Sequence, residues 1–366
     1  MTATTTSIII AQSKRATAHT LRSVRNGAFV LVIAVVAAVV LIQAQGYAAL
    51  PTIAAGFDYS LGSLNAVART FAWGLPLVVA ALGVSLAFRS GMFNLGAEGQ
   101  VFAGAMAAAL VGAYIGPMFS PLHLALTTLA AAVAGGLIAG GLGWLRAKWN
   151  VDEVVSSLLS NYIVILFCAY LVTGPLRDPS RQSGTTERVH DTAMFSELIP
   201  RTGLTWGVIV VLAIAVFAWW LSERSVTGYR WRMTGNAPGF AAASGVSTVR
   251  SQIRSMVMSG ALAAVAGSML VTASQGRYWT EIGAGIGWDA VLIALVARAR
   301  PIPTIIWVGI YSIMRSTARG IEQVSLVPSE LSSVLIAIII IVVAARAGLF
   351  ARVSDLFTRL TTRKER

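Results

Sequence analysis

The chain predicts an all-α fold, a polytopic integral membrane protein of about ten transmembrane helices, on three observations. Its 366 residues are 56% hydrophobic and only 12% charged, a composition that cannot form a water-soluble core without leaving apolar surface wet. Its apolar residues fall into runs near the length of about 20 that crosses a hydrocarbon core roughly 30 Å thick. Its net charge of +13 is divided unequally between alternate connecting segments.

In chain order the expected spans are 28–45, 66–88, 101–115, 122–145, 155–172, 204–221, 256–273, 286–297, 302–319 and 331–345. Residues 1–27 are polar and basic, and no convincing small-residue cleavage site follows the first run, which predicts a cytoplasmic tail rather than a removed leader. The runs at 101–115, 286–297 and 331–345 are short for a crossing, so those helices borrow flanking residues, tilt, or break inside the protein. With the N-terminus placed inside and the loops alternating, twenty Lys and Arg fall on that side. Only Arg177, Arg181, Arg188, Arg201 and Arg277 fall on the other. This is the bias of a bacterial inner (cytoplasmic) membrane protein with both termini in the cytoplasm, and an even span count agrees with it. The expected organisation is a cytoplasmic tail 1–27, a transmembrane domain 28–347 and a basic tail 348–366. The domain carries a cytoplasmic segment 222–255 and an external loop 173–203. The basic tail suits anionic membrane lipid rather than nucleic acid.

Enzyme chemistry has little to work with. His19, His123 and His190 are far apart, no His/Cys pair has metal-ligand spacing, and no Gly-x-Ser-x-Gly elbow occurs. Cys168 is the single cysteine and can form no internal disulfide. Lys14, Lys148 and Lys364 are the only lysines, and none follows a phosphate-cradling Gly-x-x-x-x-Gly, so the chain cannot hydrolyse ATP. Glu98, Asp289 and Arg315 are the few ionisable residues expected at membrane depth, too sparse a set for a proton or sodium relay. Any active transport therefore draws its power from another subunit. The rival reading is a self-sufficient channel or secondary transporter, which the missing relay residues disfavour.

Three segments carry the chemistry. "RSGMFNLGAEGQVFAGA", 89–105, sets Asn94, Glu98 and Gln100 among Gly91, Gly96, Gly99 and Gly104. Glycine-interrupted polar backbone at membrane depth is tolerable only when buried in protein or lining a water-filled path. The polar groups then line a path, with Phe93 or Trp73 offering a ring to a sugar or base. Alternatively, Asn94 and Glu98 satisfy backbone freed at a helix break, or Glu98 pairs with Arg89. In "SQGRYWTEIGAGIGWDAV", 274–291, Leu95-Gly96-Ala97 recurs as Ile282-Gly283-Ala284. Unless the three-residue match is chance, it marks an inverted repeat of spans two to five on spans seven to ten, with broken helices meeting near a shared path. In "NAPGFAAASGV", 236–246, Asn236 is expected as an N-cap, Pro238 in the first turn, Ala241, Ala242 and Ala243 in the helix and Gly245 at its end. That short helix is a docking knob for a motor subunit, or else one turn in an ordinary loop. Asp152 and Glu153 suit a helix start. The mixed charges of 173–203 suit docking of a binding protein or any solvated loop. Trp144, Trp149, Trp206, Trp219 and Trp220 suit interface anchors.

The strings "GMFNLGAEGQ" at 91–100, "VDEVVSSLLSNYI" at 151–163, "GYRWRMTGNAPGFAAASGV" at 228–246 and "GIGWDAVLIALVARARPIP" at 285–303 occur in that order. Together they resemble the permease subunit of a bacterial ABC importer. The family in question includes the permeases for ribose and other simple sugars, branched-chain amino acids and nucleosides, and the likeness spans 66–349. It is nearest the nucleoside and simple-sugar branch, whose binding proteins are basic-membrane-protein-like lipoproteins. The resemblance implies a vitamin-B12-permease-like fold and a dimer with a second permease, identical or related, around one translocation path. It further implies cytoplasmic ABC ATPase subunits using ATP and Mg, an external solute-binding lipoprotein, and a nucleoside or simple sugar as solute. Phe93, Asn94, Glu98, Gln100, Trp288 and Asp289 are then the candidate path residues. Asn236, Pro238, Ala241, Ala242 and Gly245 are the candidate ATPase-coupling residues, and no metal or cofactor belongs to this chain. Trp288, Asp289 and Arg298 depart from the family's commoner residues, Arg298 standing where Gly is usual.

Overall fold

The structure is a computed structural model that describes residues 36, 39, 40, 43, 46, 48–181 and 184–325. The expected first span at 28–45 falls almost wholly outside the described residues, and the span at 331–345 and both tails fall wholly outside. The chain divides into two units, 63–313 and the flanking segments 1–62 and 314–366. All regular elements among the described residues are helical, and β pairing there is limited to isolated bridges.

In the flanking unit, α1 (Ala49–Leu61) is a helix that the apolar runs do not announce, because Pro51 and Asp58 interrupt its hydropathy. It is fixed within its unit by side-chain contact instead. Ser60 Oγ lies 3.0 Å from Thr317 Oγ1, and Gly56 rests on Thr317 and Ile321.

The larger unit begins with α2 (Leu64–Arg89), capped by Ser63, whose hydroxyl accepts the Ala66 N–H at 3.1 Å. There follow α3 (Ala97–Tyr114), α4 (Ser120–Trp149), α5 (Glu153–Thr173), α6 (Gly207–Glu223), α7 (Val226–Asn236), α8 (Pro238–Ala243), α9 (Thr248–Leu270), α10 (Ile286–Val296) and α11 (Pro301–Ser325), whose residues from Met314 on belong to the flanking unit. Asp152 begins α5 as its N-cap, accepting the Val154 and Val155 N–H groups. Ser225 and Ser247 do the same for α7 and α9, so α9 starts eight residues before its apolar run. A π-helical turn, Val271–Gln275, extends α9 to Gly276 at φ +64°. Four described helices are long and apolar enough to span, or five when α6 and α7, bent by 62°, are one broken span.

Helix α9 is the centre of this unit, packed on α2, α3 and α4. In lipid the hydrophobic effect gives no drive for helix association, so close backbone approach through small residues carries the packing. A Cβ on Gly260 would overlap the Gly135 carbonyl of α4, and one on Gly267 the Val101 carbonyl of α3. The most apolar window of α9 is 72% buried, whereas that of α5 is 17% buried, so α5 presents most of its surface outward.

The loop between α5 and α6 is a built cap rather than a free strand of charges. Thr186 N–H donates to the Tyr278 carbonyl at 3.0 Å, Val189 N–H to Gly276 at 2.9 Å and Phe195 N–H to Thr272 at 2.8 Å. Val189 and Ala193 join Phe102, Met106, Cys168 and Tyr278 in a buried cluster. Arg277 pairs with Asp178 at 2.7 Å. Arg181, Glu187, Arg188 and Asp191 remain exposed on its outer side.

Candidate functional site

Two interruptions of helix come together within the larger unit. The first begins where α2 ends at Arg89: Ser90 donates to the Ala87 carbonyl, Gly91 turns at φ +77°, and α3 starts at Ala97. The second lies between Gly276 and Gly285, the latter at φ +90°, and α10 starts at Ile286. Gly283 rests on Val101 and Phe102, and Gly287 lies so close to the Glu98 backbone that a Cβ there would overlap it. The two breaks, one holding Leu95–Ala97 and the other Ile282–Ala284, thus meet within one unit.

Glu98 joins them chemically. From the first turn of α3 it accepts the Gly285 N–H at 2.6 Å on one oxygen, and the Gly287 and Trp288 N–H groups at 2.7 and 3.3 Å on the other. These are the orphan donors of the α10 N-terminus. Both carboxyl oxygens act as acceptors at the N-terminal ends of two helices, a position that favours a carboxylate. The residue is 5% exposed.

The first break is braced by amides. Asn94 Nδ2 donates to Gln100 Oε1 at 2.8 Å and to Ser259 Oγ at 2.9 Å. Asn94 Oδ1 accepts from Gln100 Nε2 at 3.0 Å and from the Gly96 N–H at 3.2 Å. Asn161 of α5, which sequence reasoning passed over, accepts the Gly99 N–H at 2.8 Å and donates to the Leu95 carbonyl at 2.7 Å. A lone amide inside an apolar run was the signal for it, since buried polar groups require partners. Asn94 and Gln100 are fully buried and Asp289 is 9% exposed. Of the readings open to Glu98 and Asn94, these contacts are those of the helix-break one. Arg89 is not the partner of Glu98: it pairs with Glu223 at 2.6 Å. Phe93 and Trp288 are 44% and 42% exposed, and Leu292 and Leu295 continue the exposed face of α10. Phe93 packs against Phe88 with ring centroids 5.1 Å apart and the planes tilted by 49°. Trp73 lies away from them, its ring 6.2 Å from that of Tyr311.

The 236–246 segment forms its short helix with one correction. Asn236 is the last residue of α7 rather than an N-cap. The break falls at Ala237, φ −150° and ψ 73°, because the residue before a proline is driven out of the helical region. Helix α8 then starts at Pro238, buries Ala241 and exposes Phe240 and Ala242. Gly245 closes it at φ +78°, with the Val246 N–H reaching back to the Ala241 carbonyl at 3.0 Å, the helix-ending pattern that favours glycine. Among the described residues no cluster of His, Cys, Asp and Glu could hold a metal ion.

The family model described as the branched-chain amino acid transport system / permease component matches residues 66–344. The chain is 30% identical over 323 residues to the guanosine ABC transporter permease protein NupP of Bacillus subtilis, covering 86% of this chain and 91% of that one. It is 29% identical over 280 residues to a glucose ABC transporter permease of Haloferax volcanii, with 73% of each covered. It is 24% identical over 299 residues to the nucleoside ABC transporter permease protein NupB of Lactococcus lactis, covering 79% and 82%. Among solved structures, PsaBC from Streptococcus pneumoniae in complex with Fab aligns at TM-score 0.48 and 14% identity, over 80% of this chain and 95% of that one. With a family match across three quarters of its length and nearly full-length relatives, the chain belongs to the branched-chain amino acid transport system permease family. It is a multi-pass permease subunit of an ABC transporter, and ATP hydrolysis belongs to a separate subunit.

Proposed function

We propose that this permease imports a nucleoside or a simple sugar, and that Phe93 and Trp288 pass the solute along its path. The observation that carries the reading is the exposure of these two rings, 44% and 42%, beside the place where the two helix breaks join. An aromatic face binds a base or the apolar face of a sugar without a fixed hydrogen-bond set, which suits a solute that must not rest. Glu98, Asn94 and Gln100 act one layer behind, holding the breaks in shape, because their acceptors and donors are committed to the protein. Asp289, beside Trp288, belongs to the same junction. The guanosine, nucleoside and glucose permeases among the relatives support this solute class.

The rest of the assembly follows from charge and family. The positive-inside rule puts α7, α8 and both termini in the cytoplasm of an inner-membrane protein, with 28–347 as the membrane domain and the cap at 173–203 outside. A vitamin-B12-permease-like dimer with a second permease encloses the path. A cytoplasmic ABC ATPase, using ATP and Mg, docks on α8 through Pro238, Ala241, Ala242 and the Asn236 and Gly245 ends. An external binding lipoprotein meets the exposed charges of the cap.

The experiment is uptake of radiolabelled nucleosides and pentoses into cells carrying this chain with its ATPase, second permease and binding protein, against the same set with a P-loop-defective ATPase. Guanosine or adenosine uptake lost with the ATPase supports the nucleoside reading. Ribose uptake without nucleoside uptake moves the solute to sugars. Uptake surviving the ATPase defect refutes ATP-driven import.

A further inference from the structure

The Arg89 guanidinium is a junction that the path reading leaves unused. Its side chain is 10% exposed; Nη2 meets Glu223 at 2.6 Å and Nε donates to the Ala299 carbonyl at 2.7 Å. Nη1 is buried without a hydrogen-bond partner.

On one side the junction bears on the docking segment. Glu223 closes α6, and Arg232 of α7 stands 3.9 Å from its other oxygen and donates to the Ser222 carbonyl. Near the end of α7, Gly235 lies against the Arg89–Gly91 backbone so closely that a Cβ would overlap the Arg89 carbonyl. The end of α6 therefore meets Arg89 through an ion pair, which Arg232 of α7 flanks, and the end of α7 meets it through bare backbone.

On the other side lies the far end of α10. Arg298 and Ala299, non-glycine residues at φ +53° and +52°, form the turn that follows it. Such left-handed residues cost on the order of 1 kcal/mol each and persist where surrounding contacts hold them. Helix α10 is 11 residues long, roughly 16 Å. Its start is held by Glu98 and the turn after its end by Arg89. The two residues flanking the first break thus grip one short helix at both ends, and that helix carries Trp288.

We propose that Arg89 is a positioning residue for transport, carrying displacement of the α7–α8 segment into α10 and so to the second helix break. The proposal rests on the reading of α8 as the ATPase-docking helix. A turn in a strained backbone region and a guanidinium with a spare donor are the features at this junction on which a second arrangement would draw. Lysine cannot substitute, because only the guanidinium fork reaches Glu223 and Ala299 together.

The test uses the complete transporter in proteoliposomes, with solute uptake and ATP hydrolysis measured on the same preparation. Arg89→Lys is expected to lower uptake at least about fivefold while hydrolysis per assembled complex stays within about twofold, so that ATP used per solute rises. Glu223→Gln moves the ratio in the same direction by less, and it serves as the readout should the Lys variant not assemble. A parallel fall of uptake and hydrolysis, as a folding role would give, overturns the proposal, as does an unchanged ratio in both variants. The docking reading is tested separately by Phe240→Asp on α8. Loss of ATPase co-purification supports that reading, and retention refutes it whatever the Arg89 ratio.

Discussion

Replacing Glu98 by Gln keeps the size of the side chain and removes one acceptor. In the native arrangement one carboxylate oxygen takes the Gly285 N–H and the other takes Gly287 and Trp288. The variant's amide oxygen can serve one of these sets, and its NH2 then faces the other, donor against donor. An unsatisfied buried donor costs about 1–3 kcal/mol, and removing a charge from a helix N-terminus costs about 0.3–2 kcal/mol more. The expected loss is about 1–5 kcal/mol, and Glu98→Ala, which orphans all three N–H groups, loses more. In a thermal melt of the purified permease pair the Gln variant should unfold on the order of 5 °C below wild type. The Ala variant should melt lower still, and both should be impaired in uptake. A Gln variant that melts with wild type while Ala falls would show that the carboxylate charge does not hold the two breaks together. Wild-type melting in both would refute the bracing role altogether.

Gly260→Leu should destabilise the unit by well over about 1–3 kcal/mol, because the new side chain meets the Gly135 carbonyl of α4; loss of a monodisperse peak in size-exclusion chromatography would show it. In the cap, the Ser180 hydroxyl and N–H, together with Arg277, hold the Asp178 carboxyl down to about 2. A depressed folded-state value stabilises above the unfolded value of about 3.9 and is lost as pH falls through the folded one. Protection of the Thr186 and Val189 amides, corrected for intrinsic exchange, should therefore weaken between about pH 4 and pH 2, and Asp178→Asn should abolish that dependence. The same pH dependence in the variant would place its origin elsewhere. Cys168, 3% exposed within the cluster under the cap, should resist maleimide in the intact protein and react after denaturation. Rapid labelling without denaturant would mean that the cap opens.

Much of the fold was legible because lipid imposes length and composition. The runs at 66–88, 122–145 and 155–172 became α2, α4 and α5 within a few residues at each end, and serine and aspartate caps mark starts that apolar runs blur. Helix α1 was not legible, since its hydropathy is broken and its place depends on residues such as Thr317, 257 positions from Ser60. Asn236 was misread because a cap is chosen by backbone geometry on both sides of a proline rather than by residue type alone.

The sequence by itself determined the class of protein, the power it lacks, and the places where helix must break, since apolar length, a missing P-loop and glycine-interrupted polar strings are local properties. Tertiary structure alone decided which partners the polar residues at those breaks meet. Glu98 meets Gly285 across 187 positions and Asn94 meets Ser259 across 165. A buried polar group must find a partner, but the chain leaves many candidates open, and only the packing of α3 between α9 and α10 brings one of them within hydrogen-bond reach.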